Sequence, residues 1–301
     1  MNTPDVVKTA EAKISDEKGG FPAQEQDPPG LTQPMDPVPD HGEESWEGNG
    51  RLEGLKAFIT GGDSGIGRAV AIAYAREGAD VAIGYLEVEQ EDADATAELI
   101  REAGRKAVLV PCDLTSREAC EKAVEEAVQG LGGLDILVNN AGYHWARGEE
   151  GIEGLEPDHV DRVLWVNFAA VIWVTKAAVP HLKKGSSIIN TTSIQAYDPS
   201  VPIMDYAATK AAVNNLTVSL ANDLGEKGIR VNAVAPGPIW TPLQPGTRKG
   251  ETVRDFGADT PLGRPGQPAE LAGAYVFLAS PKEASYVSAT VVGVTGGKPV
   301  F

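Results

Sequence analysis

The stretch that most constrains the fold is Lys56-Ala-Phe-Ile-Thr60 running straight into Gly61-Gly-Asp-Ser-Gly-Ile-Gly67. The first five residues read as a short buried strand, and a helix is expected to begin near Arg68. A strand, a glycine-rich turn and then a helix is the arrangement that cradles phosphate. Glycines let the backbone turn tightly and approach a pyrophosphate. The helix N-terminus supplies unpaired N–H groups and a favourable dipole. The spacing is Gly-x-x-x-Gly-x-Gly, not the commoner Gly-x-Gly-x-x-Gly, so a plain glycine-rich turn stands as the alternative until the rest of the chain is read.

Strand and helix patterns then alternate without a break. Asp80–Tyr85 reads as a second strand, followed by an acidic helix from about Glu91 to Ala103. Lys106–Pro111 is the third strand, ending at Cys112-Asp113-Leu114, with a helix from Ser116 to about Leu131. Asp135–Asn139 is the fourth, leading into Asn139-Asn140-Ala141-Gly142. This order predicts an α/β fold, a Rossmann-like, doubly wound parallel sheet with right-handed crossovers. Ligands of such sheets lie at the carboxyl ends of the strands, where Gly61–Gly67, Asp113 and Asn139–Gly142 all fall. A helix from about Pro157 to Leu182 carries Asn167 in an apolar run. A buried asparagine needs a hydrogen-bond partner, which here is either functional or simply part of the core. Ser187–Thr191 is the fifth strand and delivers Ser193; a helix from Tyr206 runs to about Leu224. Ile229–Val234 is the sixth strand. Residues 238–266, rich in Pro and Gly, read as a lid, and a helix near Pro268–Leu278 and a strand near Thr290–Val294 close the domain.

Tyr206 and Lys210 are four residues apart, so on a helix they project from one face. A free phenol titrates near pH 10. A fixed ammonium beside it favours the phenolate, which suits general acid/base work. Ser193, across a loop with two prolines, is expected to return to the Tyr206 phenol and bind a substrate oxygen.

The chain has 301 residues, 42% of them hydrophobic, and a net charge of −17. That charge argues against nucleic acid and anionic membranes as partners. Cys112 and Cys120 match no zinc or redox spacing, and no metal is expected. No continuous apolar window reaches membrane-spanning length, and the first residues resemble neither a secretion signal nor a transit peptide, so the expected location is the cytoplasm. Residues 1–50 are acidic and Pro-rich. They form either a disordered tail or an extended arm on a folded surface, with Phe21, Leu31, Met35 and Trp46 as anchors. Residues 51–301 are the expected catalytic domain.

Taken together these pieces resemble the short-chain dehydrogenase/reductase family from about Leu52 onward. The long arm, the Gly-Gly-Asp-Ser-Gly-Ile-Gly loop and Ser-Ile-Gln-Ala-Tyr are similar to a subgroup of glucose/ribitol dehydrogenase homologues, general-stress oxidoreductases and bacterial aldehyde reductases. The resemblance implies an NAD(P)-dependent enzyme that moves a hydride between nicotinamide and a carbonyl or alcohol: an aldehyde, ketone, sugar or polyol. It implies a catalytic tetrad of Asn167, Ser193, Tyr206 and Lys210. Tyr206 would exchange the proton, Ser193 orient the oxygen, Lys210 lower the tyrosine pKa and bond the nicotinamide ribose, and Asn167 hold a relay water. Cofactor contacts are implied for Gly61, Asp63, Ser64, Gly65, Ile66, Gly67, Tyr85, Asp113, Leu114, Asn140, Ala141, Gly142, Pro236, Gly237, Ile239 and Thr241.

Tyr85 stands where NAD-preferring members carry an aspartate, and neither Leu86 nor Ser64 offers the base that welcomes a 2′-phosphate, so NAD and NADP both stay open. Glu87 and Glu89 would repel a phosphate if they faced it. His144, Gln195, Tyr197 and Trp240 are candidates for the substrate pocket, with a structural role for His144 and Trp145 as the alternative. The resemblance further implies a homotetramer, whose interfaces the Asn167 and Tyr206 helices would form, with the arm crossing onto a neighbouring subunit. A non-catalytic nucleotide-binding scaffold on the same fold is the competing reading.

Overall fold

A computed structural model describes residues 20–146 and 151–301. The first nineteen residues of the arm, and Arg147 to Glu150 in the loop after Trp145, lie outside the described residues. Seven parallel strands form one sheet in the order β3-β2-β1-β4-β5-β6-β7. They are β1 (Lys56–Thr60), β2 (Asp80–Tyr85), β3 (Ala107–Pro111), β4 (Ile136–Asn139), β5 (Ser187–Thr191), β6 (Arg230–Pro236) and β7 (Val291–Val294). Central strands such as Ile-Leu-Val-Asn and Ser-Ile-Ile-Asn-Thr are apolar along their whole length because helices cover both faces of the sheet. The chain order reverses between β1 and β4, opening a crevice at their carboxyl ends.

The covering helices are α1 (Gly65–Arg76), α2 (Gln90–Glu102), α3 (Arg117–Leu131), α4 (Pro157–Leu164), α5 (Ala170–Ala178), α6 (Met204–Gly225), the short α7 (Leu243–Thr247) and α8 (Ala269–Ala279). Local chemistry sets several ends. The Ser116 hydroxyl accepts from Ala119 N at 3.1 Å and starts α3, which Gly132 ends in the left-handed conformation. One apolar core contains Ile59, Ile83, Val138 and Ile189 with α1 and α8; the other, on the opposite face, contains Phe58, Leu137 and Ile188 with α3 and α5.

The helix expected from Pro157 to Leu182 is not uniform. It passes through a π-helical turn at Trp165–Ala169 between α4 and α5, and ends in a 3-10 turn at Val179–His181. As a run, Pro157–His181 is long and apolar enough by length and composition to cross a bilayer. Its polar residues show why it packs as a core helix instead: Asn167 and Thr175 are buried in hydrogen bonds to the sheet side, the latter accepting from Asn139 Nδ2 at 3.0 Å. Asn139 also donates to Asn190 Oδ1 at 2.8 Å, and Asn190 donates to Thr217 on α6 at 2.9 Å. This ladder ties β4, β5 and both helices together inside the core, where an unpaired amide would be costly.

Residues 238–266 contain α7 and a 3-10 turn at Gly250–Val253, and Ile239 bridges to Gly266. Within the single chain the described part of the arm packs on the folded domain. Phe21 stacks on Trp240 with ring centroids 3.8 Å apart, and Met35 and Val253 complete that small core. Backbone bonds from Phe21 N to Arg254 O and from Gln26 N to Pro245 O, both 2.9 Å, lay the arm along residues 238–266. Farther on, Thr32 N donates to Asp92 Oδ2 and Asp40 N to Gln267 Oε1, each at 2.9 Å. The segment is short of apolar residues for a core of its own but has enough to cover that of residues 238–266.

Candidate active site

Thr60 ends β1 and its hydroxyl accepts from the N–H groups of Asn140 and Ala141 at 3.0 and 3.1 Å. The Asn140 amide returns two bonds, to Thr60 O at 3.1 Å and Gly61 O at 2.9 Å. The loops after β1 and β4 are thereby locked edge to edge. Gly61 has φ of +62° and a Cβ there would lie 3.1 Å from Ala141 Cα; at Gly67 a Cβ would lie 1.8 Å from Gly61 O. Only glycine permits this loop to fold back on the first turn of α1. Gly67 therefore shapes the loop from behind.

In front of the loop is a cavity of about 1080 Å³. Gly61, Asp63, Ser64, Gly65 and Ile66 line its floor; Tyr85, Asp113 and Leu114 line the side beneath β2 and β3. Asn140, Ala141, Gly142, Pro236, Gly237, Ile239 and Thr241 line the other side, with Ser193, Tyr206 and Lys210. Sheet order accounts for the convergence, since every one of these residues except Tyr206 and Lys210 follows or ends a strand at the same edge.

Ser193 caps a 3-10 turn, its Oγ accepting from Gln195 N at 3.1 Å. Burial raises the pKa of the Tyr206 phenol; the Ser193 hydroxyl and the nearby Arg248 guanidinium act in the opposite direction. The Lys210 ammonium stands 5.5 Å from the Tyr206 ring centre and donates to Thr191 O at 2.8 Å. Burial lowers its pKa to about 8. Arg248 is thus a second cation beside the phenol, and the Lys210 ammonium also serves a strand carbonyl.

Asn167 sits in the π turn, fully buried, and does not touch the cavity. Its Oδ1 accepts from Tyr143 N at 2.8 Å and its Nδ2 donates to Tyr143 O at 2.7 Å. Its amide clamps the backbone at Tyr143, just after Gly142. His144 is buried behind Tyr206, edge-on to its ring at 5.5 Å, and bonds the Thr247 hydroxyl at 3.1 Å. Desolvation holds its pKa down to about 3, so it is a neutral imidazole.

The other pocket candidates stand elsewhere. Gln195 accepts from Ser200 N and Oγ at 2.7 and 2.9 Å and braces its own loop, and Tyr197 is not among the cavity-lining residues. Trp240 is wholly buried beneath Phe21, its Nε1 donating to Pro37 O at 2.8 Å. Glu87 and Glu89 line the cavity as well, and unforeseen lining residues are Pro28 and Pro29 of the arm, Arg162, Gln244 and Thr247. The prolines carried no motif, and only the arm's path brings them here.

Residues 61–298 match the family profile described as Enoyl-(Acyl carrier protein) reductase. The uncharacterized oxidoreductase YhxD of Bacillus subtilis (strain 168) is 52% identical, over 99% of both chains. The chain belongs to the short-chain dehydrogenase/reductase family. A chloroplastic NADPH-dependent aldehyde reductase 1 of Arabidopsis thaliana is 41% identical over 90% of this chain and 96% of its own. Among solved structures, a short-chain dehydrogenase from Burkholderia cenocepacia J2315 in complex with NADP superposes with a TM-score of 0.74 and 36% identity, covering 82% of this chain and 99% of that one. Members of the short-chain dehydrogenase/reductase family use NAD or NADP, and this one is an oxidoreductase with the family's parallel sheet.

Proposed function

We propose that this protein is an NAD(P)-dependent oxidoreductase acting on a small carbonyl or alcohol, with Tyr206 as general acid/base. The observation that carries the reading is that Ser193, Tyr206 and Lys210 line one wall of a large cavity that the glycine loop also lines. A nicotinamide dinucleotide fits this site: the backbone of the glycine loop and the start of α1 suit its pyrophosphate, Asp113 and Leu114 its adenine, and Asn140 to Gly142, Lys210 and Pro236 to Thr241 its other half. When bound it supplies or takes up the hydride.

The chain's own residues handle the proton. With its pKa raised by burial, Tyr206 holds its proton at neutral pH and can donate it to a carbonyl oxygen; for the reverse reaction the Ser193 hydroxyl and Arg248 favour the phenolate. Lys210 keeps a positive charge below about pH 8 next to Thr191 O, at the base of the same wall. Asn167 and the π turn hold Tyr143, so the backbone beyond Gly142 stays beside Tyr206. The exposed Leu164 of α4 and Val218 of α6 support assembly as a homotetramer, and the free thiols Cys112 and Cys120 fit a reducing cytoplasm.

A panel of aldehydes, ketones and sugars run with both cofactors tests the reading. Tyr206→Phe should lower kcat by at least about 10²-fold while cofactor affinity stays within about twofold. Cofactor binding without turnover on any substrate would favour a nucleotide-binding scaffold instead.

A further inference from the structure

The arm bridges the two flanks of the glycine loop. Thr32 N donates to Asp92 Oδ2 of α2, and Gln26 N donates to Pro245 O of α7, each at 2.9 Å. Between these anchors Pro28 and Pro29 line the cavity. Both α2 and α7 touch the loop itself. The Thr96 hydroxyl of α2 donates to Asp63 O at 2.7 Å. On the other flank a Cβ on Gly65 would lie 3.0 Å from Thr241 Cγ2 and 3.9 Å from Pro242 Cδ, just ahead of α7. The segment from Gln26 to Thr32 therefore passes from one side of the loop to the other and turns two proline rings inward.

The turn that presents these rings is braced in advance. Gly30 N donates to Asp27 O at 3.0 Å, and the Gln26 side chain closes the turn, its Nε2 donating to Leu31 O at 3.1 Å and its Oε1 accepting from Leu31 N at 2.8 Å. Gly30 has φ of +84°, and a Cβ there would lie 2.6 Å from Pro242 O; a Cβ on Gly246 would lie 2.7 Å from Pro29 O. Turn and α7 thus meet backbone to backbone, at a separation that only glycine allows on either side. The family profile matches from residue 61 onward, so this wall comes from residues outside it.

We propose that Pro28 and Pro29 form a wall of the dinucleotide site, and that the arm must lift for a bound dinucleotide to leave. This rests on the reading that the cavity holds a nicotinamide dinucleotide. Proline has no N–H to offer a phosphate, so the wall acts by excluding water and blocking an exit. A ligand that touches the docked arm binds the docked state better than the lifted one. Dinucleotide binding and arm docking then strengthen each other by the same factor. Lifting breaks the Gln26 and Thr32 backbone bonds and unpacks Gly30 from Pro242, all of which proceeds with the sheet still folded. Release is therefore governed by the fraction of time the arm is lifted.

Amide hydrogen exchange and stopped-flow release on the full chain test this without reference to turnover. Saturating NADH or NADPH, whichever binds, should slow exchange of the Gln26 and Thr32 amides by at least about tenfold. Gly30→Ala forces the turn off α7, and Phe21→Ala loosens the arm nearer its start. Each should speed dinucleotide release by at least about tenfold, in step with faster exchange of the arm amides. Val38→Ala, at an exposed arm residue, should change neither. Arm amides whose exchange ignores saturating dinucleotide would overturn the proposal, and so would an unchanged release rate in a variant whose arm amides exchange faster. Binding of neither dinucleotide by the native chain would sink this inference together with the cofactor reading beneath it. Tight binding with release indifferent to the arm would sink this inference alone.

Discussion

Replacing Phe21 with alanine should release the arm from residues 238–266 while leaving the sheet intact. The phenyl ring is 97% buried by its 3% exposure, lies flat on Trp240 at 3.8 Å, and shares that core with Met35 and Val253. Truncating a buried phenylalanine costs about 3 to 5 kcal/mol, of which a stacked aromatic pair contributes about 0.5 to 1.5. The lower end applies here because the site borders solvent and can partly collapse. A loss of about 3 kcal/mol multiplies the open fraction of the arm by roughly 10². Amide hydrogen exchange reads it directly: the Phe21, Gln26 and Thr32 amides, bonded to Arg254 O, Pro245 O and Asp92 Oδ2, should exchange about 10²-fold faster. Amides of β1 should not change. Val38→Ala, at a residue 46% exposed on the same arm, is the control and should leave both sets alone. Unchanged protection of the arm in Phe21→Ala would mean that the stack does not hold it; equal acceleration of arm and β1 would mean that the arm is not a separately opening unit.

Lys210→Ala should weaken dinucleotide binding as well as turnover, since the ammonium lines the cavity and its loss leaves Thr191 O without that donor; fluorescence titration beside Tyr206→Phe checks it, and equal cofactor affinity in the two variants would refute the division of roles. Acid should destabilise the fold through His144. Its pKa is about 3 in the fold against 6.5 when free, so the unfolded chain takes up a proton that the folded one refuses, and the stability present above pH 6.5 is lost as pH falls. That loss is roughly 3 kcal/mol by pH 4.5. Urea unfolding at pH 7 and 4.5 should show it, His144→Gln should shrink it, and an undiminished pH slope in that variant would assign the acid sensitivity to other groups.

The regular elements were readable because their periodicity is local: an all-apolar run between turn residues is a buried strand, and the glycine spacing after β1 dictates the tight turn whatever packs beyond it. Strand ends fell within a residue or two of their expected places for that reason. Convergence at one sheet edge also followed from the sequence, since chain order alone places Gly61, Asp113, Asn140 and Ser193 after parallel strands. What a side chain does there was not readable. Lys210 and Tyr206 share a helix face, yet the ammonium's bond to Thr191 O depends on β5, and Arg248, which also favours the phenolate, comes from a segment with no motif. Trp240 looked like a pocket residue by position and is covered by Phe21, more than two hundred residues earlier in the chain. Glu89 could not be aimed from the sequence because a turn of 3-10 helix, Glu87–Glu89, decides which way it faces. The sequence alone determined the α/β order, the phosphate-cradling loop and the Ser193, Tyr206 and Lys210 set, because each is written in residues close in the chain or in strand order. Tertiary structure decided the arm's path, the partner of every buried charge and the acidic end of the cavity, because those depend on burial and on distances between segments that share no local pattern.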